Sequence, residues 1–210
     1  MSFEDYSFLV SHLKSFKDLS YDDQNNEYMT ESQKEAHCFD DVVQEFYLSI
    51  NQGGSIPKSN DALFYENGNN AFIFIEFKNG NINNKKSKKI IAKNKKSIVA
   101  LKQITNNTID SEFVKSNGQY ILVYNIDNIG DEEYKTSASD YLYKSQINSS
   151  NSRGYIFSTI AKKSLTLERP ILFGLECIGQ YYKHMVTLEK SEFNRIVDDL
   201  TPDYSLEDNL

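Results

Sequence analysis

A predicted β-hairpin over residues 61–78 is the feature that most restricts how this chain can fold. Asn67-Gly68 separates two segments rich in Phe, Tyr and Ile, and a two-residue Asn-Gly turn accepts the positive φ angles that a tight hairpin requires. The second segment, Ala71 to Lys78, is apolar apart from Glu76 and its last residue. Such a strand is typical of the centre of a sheet, where both faces are covered.

Three charged residues lie at one end of this hairpin. Glu76 and Lys78 are two residues apart, so their side chains point to the same face of a strand, and Asp61 begins the paired strand. Buried carboxylates are costly unless a cation accompanies them. Carboxylate oxygens are also ligands that Mg²⁺ and Mn²⁺ prefer. The pattern predicts a divalent metal site, and a surface ion pair between Glu76 and Lys78 is the alternative.

Asp61 followed by Glu76-Phe77-Lys78 resembles the Asp…Glu-x-Lys signature of the PD-(D/E)XK nuclease superfamily. The resemblance implies an α/β (α+β) fold like that of restriction endonucleases, with a mixed sheet flanked by helices and an αβββαβ core. It also implies that Asp61 and Glu76 bind Mg²⁺ or Mn²⁺ and that Lys78 orients or activates the attacking water. Asn60 stands where the family has a proline. The motif at residues 75–80, Ile-Glu-Phe-Lys-Asn-Gly, further resembles uncharacterised proteins of Gram-positive bacteria and their phages.

The same resemblance implies a helix before the hairpin that offers a further acid to the metal. Thr30 to Gln33 has the form of a capping box, and apolar residues follow at helical spacing. A helix is therefore predicted over about residues 30–50. Glu45 borders its apolar stripe and is the predicted fourth catalytic residue, with Glu35 as the alternative. A solvated position on the helix is also compatible with either residue.

A lysine-rich segment follows the hairpin. Residues 79–102 contain eight lysines and no acid, although the whole chain has a formal net charge of −7. Apolar residues at helical spacing predict a helix that packs on the sheet with most lysines facing outward. Nucleic acid, DNA or RNA, is the predicted partner, and a solvated lysine face is the alternative. The predicted phosphate contacts are Lys85, Lys89, Lys93 and Lys96.

Spacing and turn signals predict the remaining elements. These are an N-terminal helix over residues 3–19, a loop over 20–29, a strand over 119–126 parallel to the hairpin's second strand, a short helix near 141–147, a strand over 155–160, a hairpin formed by 171–178 and 181–188, and a final helix that ends near 200.

Length and composition indicate a single domain. The 210 residues with 39% hydrophobic content suit one core. We expect a helical extension (1–29), a core with the motif (30–127), C-terminal strands and helix (128–202) and a tail (203–210). Cys38 and Cys177 lack zinc-site spacing, and neither a signal peptide nor a membrane-spanning run is present, which predicts a cytoplasmic protein.

Together these features predict a metal-dependent nuclease that hydrolyses phosphodiester bonds. No P-loop, GxSxG, HExxH or dinucleotide fingerprint supports another reaction class. The alternative is a non-catalytic member of the same fold that binds nucleic acid or protein in a phage or defence system. A homodimer, or a partner protein in a defence or toxin system, is compatible with either interpretation.

Overall fold

The computed structural model describes residues 3–50, 55–65, 70–130 and 171–200. The strands are β1 (Leu13–Ser15), β2 (Tyr21–Asp22), β3 (Glu27–Tyr28), β4 (Glu35–Cys38), β5 (Ala62–Tyr65), β6 (Phe72–Lys78), β7 (Gly118–Tyr124) and β8 (His184–Glu189). The helices are α1 (Phe16–Leu19), α2 (Phe39–Ser49), α3 (Asn84–Ile104), α4 (Ser111–Asn117) and α5 (Lys190–Ile196).

A six-stranded mixed sheet in the order β1-β4-β5-β6-β7-β8 organises these elements, and β2 and β3 form a separate two-stranded ribbon. The predicted mixed sheet with flanking helices is therefore confirmed. Strands β5 and β6 pair antiparallel as the predicted hairpin, while β7 lies parallel beside β6. The Asn67-Gly68 turn itself lies outside the described residues.

Side chains of alternate residues in the central strands pack into two separate hydrophobic cores, one on each face of the sheet. Phe72 and Phe74 pack with residues of α2 and α3 on one face, whereas Ile73 and Ile75 pack with residues of α5 on the other. Glu76 follows the same alternation as Phe72 and Phe74. Its carboxylate therefore points toward α2 and α3 from a strand that is buried up to that position.

The predicted basic helix is confirmed as α3, which has 21 residues. The Asn83 side chain caps it by accepting a hydrogen bond from the Lys86 backbone N–H at 3.0 Å. Its inner face is not uniformly apolar, because Asn94 and Ser97 are fully buried there. Ser97 Oγ accepts a hydrogen bond from the Asn60 backbone N–H at 2.7 Å. The middle of α3 thus fastens the segment that leads into Asp61.

The predicted helix over residues 3–19 is wrong. Phe3–Asp5 forms a short 3-10 helix, His12 has a φ of 60°, and β1 and α1 follow. Phe3 and Leu9 pack in the core beneath α3, whereas Phe16 packs in the opposite core. One helix cannot deliver side chains to both faces of a sheet, so the chain bends around the sheet edge instead. Residues 20–29, predicted as a loop, contain the β2–β3 ribbon.

Only the second half of the predicted helix over residues 30–50 is helical. The first half contains β4, and the helix begins at Phe39. Ala36 and Phe39 have the spacing of one helical face, but they pack in opposite cores. The Thr30 hydroxyl accepts a hydrogen bond from the Ser32 backbone N–H at 3.2 Å, in a local turn. Strand β4 pairs antiparallel with β5, and the described segment 55–59 forms no strand.

The predicted hairpin over residues 171–188 is also wrong. Phe173 and Gly174 have φ angles of 67° and 65°, which an extended strand does not contain. Glu176–Tyr181 forms a 3-10 helix, and β8 pairs parallel with β7. The final helix is confirmed as α5, which opens with a capping box at Glu189. The predicted elements near 141–147 and 155–160 lie outside the described residues.

Within the four described ranges, no helix combines the length and apolar character that crossing a bilayer requires.

Candidate active site

The hairpin register brings Asp61 and Glu76 together. Ala62 pairs with Ile75, so the preceding residue, Asp61, lies opposite Glu76 in this antiparallel pair. Asp61 Oδ2 accepts a hydrogen bond from the Phe77 backbone N–H at 2.7 Å, which fixes its carboxylate over the end of β6. The Asp61 side chain is 21% exposed and that of Glu76 is 0% exposed. Glu76 is therefore the floor of the site.

Two lysine ammonium groups lie against these carboxylates. Lys78 Nζ forms a close ion pair with Glu76 Oε1. Lys93 Nζ reaches down from α3 and lies 2.6 Å from Asp61 Oδ1 and 2.8 Å from Glu76 Oε2. We call Asp61, Glu76, Lys78 and Lys93 the charged cluster. The negative charges of its two carboxylates and the positive charges of its two ammonium groups cancel formally. Lys93 contacts both carboxylates.

Helix α2 supplies a third acid, Asp40, at the mouth of the charged cluster. Asp40 Oδ2 lies 3.9 Å from Lys93 Nζ, and the Asp40 side chain is 48% exposed. Its other oxygen accepts hydrogen bonds from the Ser59 backbone N–H at 2.8 Å and from Ser59 Oγ at 2.6 Å. These bonds join the first turn of α2 to the segment that leads into Asp61.

Glu45 does not belong to the charged cluster. Its Oε2 lies 2.6 Å from His12 Nε2, and its side chain is 50% exposed. Glu45 was the predicted residue because it lies nearer in sequence than Glu35 to the loop that leads to Asp61, in a helix expected to start at residue 30. With the start at Phe39, the acid nearest the hairpin is Asp40. Two consecutive acids, Asp40 and Asp41, are a recognised signal for a first helical turn and could have located it.

The electrostatic environment separates the two acids of the charged cluster. Burial raises the pKa of Glu76, and the nearby Asp61 carboxylate raises it further, against the opposing effect of Lys78 and Lys93. Burial also acts to raise the pKa of Asp61, but Lys78 and Lys93 outweigh burial and lower it. Asp61 is therefore the firmly ionised acid, and Glu76 is the acid that holds a proton more readily.

The pKa values of both lysines are raised despite burial, because Glu76 and Asp61 favour the charged ammonium forms. Lys78 and Lys93 are therefore cations at neutral pH. A protonated ammonium group donates hydrogen bonds and supplies positive charge, but it accepts no proton.

Several buried side-chain oxygens on the α3 side of the sheet have no hydrogen-bond partner among the described residues. They include Asn94 Oδ1, Tyr120 OH and Thr187 Oγ1. Glu76 and Thr187 both pair with Leu122, from opposite sides of β7, so they lie in one row across the sheet. Each buried polar atom left unpaired costs about 1–3 kcal/mol. Water or a bound ligand often supplies the missing partner at such places.

Exposed lysines form the outer face of α3. Lys85, Lys89 and Lys96 are exposed, as predicted, and we call them the outer lysines. Lys93 was predicted to lie with them, but its side chain is only 16% exposed and turns inward. At about 100° per residue, Lys89 and Lys96 lie within about 60° of Lys93 around the helix axis. Both lie on the solvent-facing side of Lys93, next to the place where Lys93 enters the charged cluster.

The carboxylate oxygens of the charged cluster are the type of ligand that a hard divalent cation such as Mg²⁺ binds. No three His, Cys, Asp or Glu side chains converge to hold a metal by themselves in the part of the chain that the structure describes. Mg²⁺ commonly takes one or two carboxylates and completes its shell with water and phosphate oxygens. Asp61 and Glu76 meet that requirement in kind and number, and a cation, the Lys93 ammonium group, already contacts both carboxylates.

No protein-family model, curated protein or solved structure matches this chain.

Proposed function

We propose that this protein is a metal-dependent nuclease that hydrolyses phosphodiester bonds in DNA or RNA, with Mg²⁺ or Mn²⁺ as its cofactor. The observation that carries the proposal is the convergence of Asp61, Glu76 and Lys78 at one end of the central hairpin, in the order of the nuclease motif. Asp61 and Glu76 would hold the cation. A bound divalent cation acts as a Lewis acid that stabilises negative charge developing on a phosphoryl group.

Each residue of the charged cluster has a distinct role in this proposal. The Phe77 backbone N–H orients Asp61, and burial holds Glu76 in place. The Lys78 side chain is 29% exposed, so its ammonium can face both Glu76 and the substrate. Because Lys78 remains protonated, it orients the attacking water and stabilises negative charge rather than removing the proton.

The outer lysines would position the substrate. They project from the same helix that sends Lys93 into the charged cluster, so a polyanion bound along α3 passes over the mouth of the site. Contacts to phosphates give affinity without sequence information. The proposed nuclease therefore binds its substrate through the backbone.

A second candidate function is a binding protein of the same architecture that performs no cleavage. Lys93 favours this candidate, because it already neutralises Asp61 and Glu76 together with Lys78. In that case the acids and lysines serve the fold. The outer lysines then bind nucleic acid without turnover, or the protein acts through a protein partner in a phage or defence system.

Glu76→Gln tests the nuclease proposal. The substitution keeps the size of the side chain but removes the charge, so we expect Mg²⁺-dependent cleavage to fall by at least about 10²-fold. The free energy of unfolding without metal should stay equal or rise slightly, because burial and Asp61 already disfavour the charged form of Glu76. Glu45→Gln is the matched control, since the structure places Glu45 against His12.

Two measurements would distinguish the nuclease from the non-cleaving binding protein. They are cleavage assays on single- and double-stranded DNA and RNA, and thermal melts in Mg²⁺ and in chelator. Retained cleavage by Glu76→Gln would contradict the assignment of the site. A parent protein that cleaves none of these substrates and melts at the same temperature with and without metal would favour the binding protein.

A further inference from the structure

Lys93 occupies the position in which a cation joining Asp61 and Glu76 would lie. Its Nζ is within 2.6 Å of one acid and 2.8 Å of the other. Lys93 Nζ also donates a hydrogen bond to Glu76 Oε1 at 3.1 Å, so it contacts both oxygens of the buried carboxylate. Lys93 comes from α3, so it is not part of the hairpin motif that brings the acids together. One ammonium group thus fills the space between both proposed metal ligands.

The charges make simultaneous occupancy by Lys93 and a divalent metal unfavourable. The charged cluster is formally neutral with both lysines in place, so an added Mg²⁺ or Mn²⁺ would leave two uncompensated positive charges around the buried Glu76. The ammonium and the metal would also contact the same oxygens and repel each other at short range. Withdrawal of Lys93 removes one of those positive charges and vacates the oxygens.

Asp40 offers the withdrawn ammonium a second acceptor. Its Oδ2 already lies 3.9 Å from Lys93 Nζ, and two hydrogen bonds from Ser59 hold the Asp40 carboxylate in position. Asp40 is more exposed than Asp61. A Lys93 side chain that turned toward Asp40 would therefore move outward, to the same side of α3 as Lys89 and Lys96.

We propose that Lys93 is an internal counter-ion that keeps the acid pair closed in the absence of metal and has to leave it before Mg²⁺ or Mn²⁺ binds. Lys93 then sets the metal affinity of the site. This inference rests on the proposed function, because it takes Asp61 and Glu76 as the metal ligands.

Calorimetric titration of Mn²⁺ into the full-length protein tests this role. Lys93→Met keeps the apolar stem but removes the competing charge, so we expect it to bind Mn²⁺ about tenfold more tightly than the parent protein. Lys88→Met is the matched control, because Lys88 is an exposed lysine on the same helix. The control should bind Mn²⁺ with the parent affinity.

Amine labelling of the parent protein gives a second measurement that needs no variant. Reductive methylation followed by mass spectrometry should show slow modification of Lys93 without metal and faster modification in saturating Mn²⁺. The modification rate of the exposed Lys88 should stay the same. If Lys93→Met fails to fold, the methylation rates of the parent protein with and without Mn²⁺ test the inference by themselves. A Lys93 methylation rate that does not change when Mn²⁺ binds to the parent protein would overturn the inference.

The possible failures can be told apart. Equal Mn²⁺ affinity in the parent protein and Lys93→Met would overturn the role of Lys93 and leave the proposed metal site standing. Absence of Mn²⁺ binding in both proteins would overturn this inference together with the metal-dependent function.

Discussion

Two polar networks lie near the same end of β6, and they differ in the charge of the groups at their centres. One is the charged cluster. The other, which we call the amide network, is centred on Asn79, the residue after β6. Asn79 donates a hydrogen bond to Glu27 Oε2 at 3.0 Å and accepts from Asn125 at 2.7 Å and from Asn128 at 3.0 Å. Lys190 completes the network with a 2.8 Å bond to Glu27 Oε1.

The amide network holds four segments of this part of the fold together by hydrogen bonds. It joins β3, the end of β6, the segment after β7 and α5, and its central residues are neutral amides. The charged cluster next to it instead buries Glu76, whose pKa is raised by burial. Buried ion pairs contribute little net stability compared with neutral packing. The amide network therefore joins these elements mainly through neutral groups, whereas the charged cluster buries charge for little net gain in stability.

The sharpest test of this comparison removes both cations from the charged cluster. In the double variant Lys78→Met/Lys93→Met, Asp61 and the buried Glu76 lose their counter-charges. We expect the free energy of unfolding in urea at neutral pH to fall by about 3–5 kcal/mol. Adding Glu76→Gln should restore most of the loss, because only one acid then remains. A loss below about 1 kcal/mol would show that the acids need no counter-ion.

Asn79→Ala should have the next largest effect. Asn79 is 4% exposed, and its removal leaves the buried Asn125 amide without its acceptor. We expect the free energy of unfolding to fall by about 1–3 kcal/mol. Asn81→Ala is the matched control, since the Asn81 side chain accepts one bond, from the Gly130 backbone N–H, at an exposed site. Equal losses in the two variants would show that the amide network adds nothing beyond a surface contact.

Lys190→Met should have the smallest effect, about 0.2–1 kcal/mol, because its ion pair with Glu27 is partly exposed. The Lys190 hydrogen bond is the main reason that the pKa of Glu27 is lowered from its ordinary 4.5. A lowered carboxyl pKa stabilises the fold above the ordinary value and loses that effect as the pH falls. Urea titrations should therefore separate parent and variant at about pH 7 but not at about pH 3. A difference that persists in acid would contradict this origin.

Part of the charged cluster could be predicted from the sequence, because its two acids lie in a hairpin. The turn residues and the apolar strand of that hairpin indicate the same register. Turn residues and an apolar run set the register that places Asp61 opposite Glu76. Lys93 could not be placed in the same way. At about 100° per residue Lys93 lies at the border of the apolar stripe, and the part of the sheet that it meets carries Asp61 and Glu76. Buried Asn94 and Ser97 nearby show that the inner face there is polar.

The terminal segments could not be predicted, because apolar spacing does not tell which face of a sheet a residue covers. Phe3, Leu9 and Phe16 have helical spacing, but they pack in two different cores. Apolar spacing also fails to predict the backbone conformation at Phe173. Its side chain packs in the core although its backbone is left-handed, a conformation that a strand does not contain. In both segments, packing against distant strands overrides the local pattern.

The short strand β1 bears on how copies of this chain can associate. A free sheet edge is a template on which another chain adds a strand. Here β1 is three residues long, and the chain turns from it directly into α1. Lys14 at its centre is held by Asp41 at 2.6 Å, so a charge stands on this edge. Strand addition at β1 would create few backbone hydrogen bonds, so this edge offers a second chain little to pair with.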